Sequence, residues 1–85
     1  MDKTVRVKIL NDLLDDSVVI TERMESTLQN SMVLLTPQEH EIINLCYNEE
    51  KSAMEIGVLF GLTRERIRRI KTRALRTLRK ELMKV

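Results

Sequence analysis

The chain has 85 residues, a net charge of +2, one Cys and two aromatic residues, Tyr47 and Phe60, which bounds it to one small domain with a thin core. A single Cys excludes an internal disulfide framework and any Cys-cluster zinc site, and so few aromatics argue against stacking on single strands or RNA. No apolar run approaches a membrane span and no secretory signal pattern opens the chain, so the cytoplasm is the expected compartment, with no membrane partner.

The charge is unevenly divided. Residues 1–35 carry four Lys or Arg against six Asp or Glu, and residues 36–85 carry eleven against seven. An acidic front and a basic back predict that only the back meets nucleic acid.

Residues 1–20 are the least legible. Val5, Val7 and Ile9 alternate as in a strand, whereas Val5, Ile9, Leu10, Leu13 and Leu14 fit one side of a helix. Periodicity leaves both open. A lone strand would have no partner for its backbone groups, which favours a helix ending near Asp15. This N-terminal segment of uncertain structure is expected to pack on the domain or to serve as an arm for a partner. Residues 21–85 read as the domain proper.

Thr21 to Leu35 predicts a helix with Met24, Leu28, Met32 and Leu35 on one side. The chain restarts sharply at Thr36. Thr36 is the N-cap of a new helix, Pro37 its first residue, and Glu39 closes a capping box. That helix runs through Ile42, Ile43, Leu45 and Cys46 to about Tyr47, before a short polar loop, Asn48-Glu49-Glu50-Lys51.

The last stretch, Ser52 to Leu82, predicts a helix-turn-helix. Ser52 and Glu55 form a second capping box, and the first helix runs to about Phe60. Gly61 suits a left-handed C-terminus and Thr63 caps the second helix. Ile56, Phe60, Leu62, Ile67 and Ile70 stand where two steeply crossing helices must touch, and Gly57 where the crossing leaves no room for a side chain. In the second helix Ile67, Ile70, Ala74, Leu78 and Leu82 form one buried stripe. Its other positions hold Arg64, Arg66, Arg68, Arg69, Lys71, Arg73, Arg76, Arg79 and Lys80. Residues 61–85 carry ten Lys or Arg against two Glu, a local charge of about +8. A charged helix face is commonly just solvated. On the second helix of a helix-turn-helix it points instead to the DNA major groove. The expected fold is thus all-α: a small helical domain with a C-terminal helix-turn-helix, the last helix longest.

No constellation for catalysis appears. Paired carboxylates, a Gly-rich phosphate loop and a nucleophile triad are all missing, so the chain is not expected to be an enzyme or to need a cofactor. His40 lies between Glu39 and Glu41 with too few ligands for a metal. Cys46 falls in an apolar stripe and reads as a structural thiol.

Two segments carry a family resemblance. LTPQEHEIINLCY, then SAMEIGVLFGLTRERIRRIKTRALRTLRKEL, resemble region 4 of a bacterial RNA polymerase sigma factor, and TRERIRRIKTRALRTLR is especially similar to the housekeeping group. The resemblance covers about Thr21 to Leu82. It implies recognition of the promoter −35 element in double-stranded DNA and docking on the β-flap of the RNA polymerase core. It also implies residue roles. Arg64 and Glu65 match base-reading positions, and Arg69, one turn after Glu65, is a third candidate reader with a phosphate contact as its alternative: Arg can donate two bonds to guanine, and Glu can accept from cytosine N4. For Glu65 the plain alternative is a favourable charge at a helix N-terminus. Arg69 departs from the Gln of many housekeeping members. Arg68 and Arg73 match phosphate-backbone positions, and Ser52, Thr63, Arg66 and Arg76 are further candidates for contact with the DNA backbone. Met54 stands where the family often has an acidic residue. The apolar candidates for polymerase docking are Met32, Leu35, Ile42, Ile43 and Leu45, less those the core needs. An anti-sigma factor, an activator or a second sigma subunit are further partners of this kind of module.

Two other classes stay open on the residues alone. One is a stand-alone helix-turn-helix regulator binding paired half-sites as a dimer. The other is a mimic of sigma region 4 that binds the flap or an anti-sigma factor without touching DNA. The chain also lacks room and aromatics for opening DNA. It is therefore expected to be a piece of a larger sigma factor, or a small subunit whose partner supplies melting.

Overall fold

The computed structural model describes residues 1–84. Its helices are α1 (Lys3–Leu13), α2 (Glu22–Ser31), α3 (Pro37–Tyr47), α4 (Ala53–Phe60) and α5 (Arg64–Met83), with a 3₁₀ turn at Met32–Leu34. No strand occurs among the described residues. The fold is all-α and its last helix is the longest, as the periodicity predicts. Among the described residues no helix is long and apolar enough to cross a membrane.

The open question over residues 1–20 resolves as a helix. Asp2 caps α1, its carboxylate accepting from the Thr4 amide at 2.7 Å. Val5, Ile9, Leu10 and Leu13 are buried, a spacing only a helix can turn to one side. After Leu13 the chain extends, and the Asp15 carboxylate accepts from the Ser17 amide at 2.9 Å in a local turn.

The α-helix beginning at Glu22 is shorter than its apolar pattern suggests. It ends at Ser31, and residues 32–34 tighten into the 3₁₀ turn, with the Leu35 amide donating to the Met32 carbonyl at 3.2 Å. The reason lies just ahead. Pro37 disfavours helical backbone at Thr36, so the chain must unwind before it restarts. Leu35 and Thr36 are both extended.

The restart follows local chemistry. The Thr36 hydroxyl accepts from the Glu39 amide at 3.1 Å while Glu39 accepts from the Thr36 amide at 2.9 Å. The same reciprocal pair joins Ser52 and Glu55 at the start of α4, at 3.2 and 3.0 Å. Gly61 ends α4 with φ 68°, the left-handed conformation that costs glycine least. Thr63 then caps α5 by accepting from the Arg66 amide at 3.1 Å.

Two apolar clusters hold these helices. The first joins Val5, Ile9, Leu10 and Leu13 of α1 to Leu28, Met32, Leu35, Ile43, Tyr47, Ala74 and Leu78. The second joins Ile42, Leu45, Ile56, Ile67 and Ile70. Cys46 is half-buried and packs against both. α5 runs through both clusters, its first half on α4 and α3 and its second half on α1, α2 and α3. The N-terminal segment therefore shares the core with the rest of the chain, and α1 supplies four of its buried side chains.

Candidate nucleic-acid interface

α5 spans 20 residues, roughly 30 Å at 1.5 Å per residue. Its stripe of Ile67, Ile70, Ala74 and Leu78 is buried, and Leu82 is half-buried at its far end. Fixing one side in the core turns the opposite side to solvent. There Glu65, Arg68, Arg69, Thr72, Arg73 and Arg76 line one open groove along the helix. The structure thus brings together two of the three candidate base readers, Glu65 and Arg69, and three of the candidate phosphate contacts. Arg64 and Arg66 are exposed on either flank of Glu65, since successive residues are about 100° apart round a helix. Thr72 was not singled out from the sequence. Its position seven residues after Glu65 and four before Arg76 is the signal that places it in the groove.

The cations of this surface are free. Among the described residues the ion pairs are Arg6–Glu25, Lys8–Glu50 and Lys84–Glu81, none of which involves a cation of Arg64–Lys80. Glu65 makes no ion pair with them either. An acidic group that neutralises no neighbour, in a groove of arginines, lowers the attraction for phosphate, while its place in the first turn of α5 favours the helix.

Lys71 differs from the rest. The sequence groups it with the basic face, but it is half-buried, with Nζ 5.1 Å from the centroid of the Tyr47 ring. The Tyr47 hydroxyl donates to Asp12 Oδ2 at 2.6 Å. Burial, and then the hydrogen bond to Asp12, push the Tyr47 phenol well above its ordinary range, so it stays a donor.

The two capping hydroxyls differ in what they have left. Ser52 and Thr63 accept from backbone amides in their caps. Thr63 still has its own O–H to donate to a phosphate, whereas the Ser52 O–H is turned to the Glu55 carboxylate. The Glu55 carboxylate, bonded to the Ser52 backbone amide and then to its side chain, is held below its ordinary range. It therefore remains charged beside the first turn of α4.

The five docking candidates all fall among the residues that the core uses. Met32, Leu35 and Ile43 belong to the first cluster and Ile42 and Leu45 to the second, and all five are buried. None is free to meet a partner, because α1 covers the first group and α4 and α5 cover the second. The exposed apolar side chains are others. Val33 and Leu34 are 83% and 54% exposed on the 3₁₀ turn. Met54, Val58 and Leu59 project from α4.

Comparison with known proteins agrees with this geometry. The chain is 40% identical over 60 residues to RNA polymerase sigma factor SigA of Microcystis aeruginosa, covering 66% of this chain and 14% of that protein. It is 32% identical over 81 residues to SigA of a Bacillus species, covering 82% of this chain and 22% of that protein. It is 33% identical over 63 residues to the chloroplastic RNA polymerase sigma factor sigF of Arabidopsis thaliana, covering 69% and 12%. The chain thus spans less than a quarter of the length of these curated relatives. No solved structure matches it significantly. Residues 32–80 match the family described as Sigma-70, region 4, which takes in α3, the helix-turn-helix and most of α5. With more than half of its 85 residues inside that match, the chain belongs to the sigma-70 region 4 family.

Proposed function

We propose that this chain is a promoter-recognition module of transcription initiation. α5 enters the major groove of a −35 element, with Arg64, Glu65 and Arg69 reading base edges and Ser52, Thr63, Arg66, Arg68, Arg73 and Arg76 contacting phosphates. The observation that carries the reading is the open groove of Glu65, Arg68, Arg69, Thr72, Arg73 and Arg76, whose cations have no ion-pair partner among the described residues. Phosphate contacts set affinity and its salt dependence, whereas the base contacts set discrimination.

A single reading helix contacts few base pairs. Its affinity alone is on the order of the 10⁻⁴–10⁻⁶ M of non-specific binding, so a second attachment is needed to raise its local concentration at a promoter. Docking on the β-flap of RNA polymerase supplies that attachment in this reading. Val33 and Leu34 replace the buried candidates as the apolar groups that such docking would use, because they are exposed in the same stretch of chain.

The test is duplex binding by selection from random sequence, followed by titration at several salt concentrations. Arg64→Ala or Glu65→Ala should weaken the selected site by roughly 1–3 kcal/mol for each lost base contact, with little effect on scrambled DNA. A palindromic selected site and a dimer in solution would instead support a stand-alone regulator. Equal tightening on all duplexes by Glu65→Ala would remove Glu65 from the readers.

A further inference from the structure

Lys71 is the α5 cation that the fold itself engages. Its ammonium lies over the Tyr47 ring at 5.1 Å, and Tyr47 in turn donates to Asp12 at 2.6 Å. These residues tie α5 to the end of α3 and, through it, to α1. Donation to a carboxylate enriches the ring in electron density, and the carboxylate adds its own negative charge at the hydroxyl edge of the ring. Both effects strengthen the hold on an ammonium.

The position of this contact gives it leverage. Lys71 comes four residues after Ile67, about 40° round the helix from it, so it stands at one edge of the buried stripe with Ile70 at the other. The stripe of Ile67, Ile70, Ala74 and Leu78 resists separation of α5 from the core. A line of apolar contacts resists rotation of the helix about its own axis less well, and a tie on the flank opposes that rotation directly. Rotation would carry Glu65 and Arg69 sideways together. A hydrogen bond to a base edge has strict geometry, so such a shift breaks it. Long Arg side chains reaching phosphates absorb the same shift.

We propose that Lys71, held by Tyr47 and through it by Asp12, is a positioning residue that sets the rotation of the recognition helix and so sharpens base discrimination without contacting DNA. The proposal rests on the reading of α5 as a groove-binding helix, and it gives α1 a share in DNA recognition although α1 lies outside the matched family region.

The experiment measures the 85-residue chain on its selected duplex and on a scrambled duplex across a salt series. Lys71→Met should lower the ratio of selected to scrambled affinity by about tenfold, the loss of one base contact, while leaving the salt slope as in the wild type. Arg73→Met should do the opposite, reducing the slope by about one and preserving the ratio. Lys71→Arg should restore discrimination, because a guanidinium also sits well on an aromatic face. Tyr47→Phe keeps the ring but drops the bond to Asp12, and should lose part of the ratio with an unchanged slope. Helical circular dichroism and melting confirm that each variant folds; if Lys71→Met does not, Tyr47→Phe carries the measurement. A slope reduced by one in Lys71→Met with the ratio intact would make Lys71 a phosphate contact and overturn the proposal. So would variants unchanged in both quantities. Failure of the wild type to bind any duplex would instead reject the DNA-binding reading itself, and it would show before any variant was compared.

Discussion

Gly57 of α4 and Leu62 of the following turn meet backbone to backbone. The Leu62 amide donates to the Gly57 carbonyl at 2.9 Å, and a Cβ built on Gly57 would lie 2.5 Å from the Leu62 carbonyl oxygen. This contact sets how closely the two helices of the motif approach. The obstructing atom is backbone, so no side-chain rotation can relieve it.

Gly57→Ala should therefore destabilise the domain by about 1–3 kcal/mol, the usual range for overpacking. Urea unfolding followed by circular dichroism checks this. An unaltered midpoint would mean that the α4–α5 turn can shift without penalty. At Gly61 the strain would be different in kind, because its surroundings are open and only its φ of 68° disfavours a side chain.

Arg69 should specify part of the preferred sequence. It lies one turn after Glu65 in the same groove. Arg suits guanine or a phosphate, whereas Gln suits adenine through N6 and N7. Binding-site selection with Arg69→Gln should recover a changed base next to the Glu65 contact. An unchanged site with a reduced salt slope would assign Arg69 to the phosphate backbone.

Removal of residues 1–20 should abolish cooperative folding. α1 covers Leu28, Met32, Ile43 and Tyr47, and the shortened chain would expose them. The apolar area lost corresponds to four buried side chains, each worth about 1.5–3 kcal/mol before the entropy of ordering α1 is subtracted. That is comparable to the whole stability of a small domain. A broad thermal transition and binding of a hydrophobic dye would support the expectation, and a sharp transition at the original temperature would oppose it.

The cap of α4 predicts a pH dependence. The Glu55 carboxylate is held below its ordinary value of 4.5 by the Ser52 amide and hydroxyl, and to a lesser extent by the charge of Lys51. A carboxyl whose folded pKa is depressed adds stability that is present above its ordinary value and is lost as pH falls through the folded one. Glu55→Gln should therefore flatten the loss of stability on acidification below about pH 4.5. Asp15 and Glu50 are lowered as well, by Ser17 and by Lys8, and would keep the remaining slope. Ser52→Ala should cost about 1 kcal/mol at neutral pH. Urea midpoints at a series of pH values test both variants.

Much of this molecule is legible from short-range chemistry. Thr36 with Glu39, Ser52 with Glu55, Gly61 and Thr63 each act within three or four residues of themselves. The starts of α3, α4 and α5 and the end of α4 follow from them. The stripe of α5 is equally local, because helical geometry alone assigns its residues to one side. The basic groove follows as the complement of that stripe.

The rest depends on where distant helices land. Val5 to Leu14 fits either a strand or a helix until Leu28, Ile43 and Leu78 provide a surface against which only a helix can bury Val5, Ile9, Leu10 and Leu13. Met32, Leu35, Ile42, Ile43 and Leu45 are apolar whether they face a partner or the core, and hydrophobicity carries no direction. Only the placement of α1, α4 and α5 over them decides that they are buried. Lys71 has the same character in sequence as Arg68 or Arg73, yet Tyr47, 24 positions earlier in the chain, draws it inward. The sequence by itself thus determined the limits of α3 and α4, the start of α5, the motif and the sign of its charge, since those rest on neighbours a few bonds away. Tertiary structure decided which apolar groups remain open to a partner and which cation serves the fold, because both are settled by contacts between residues far apart in the chain.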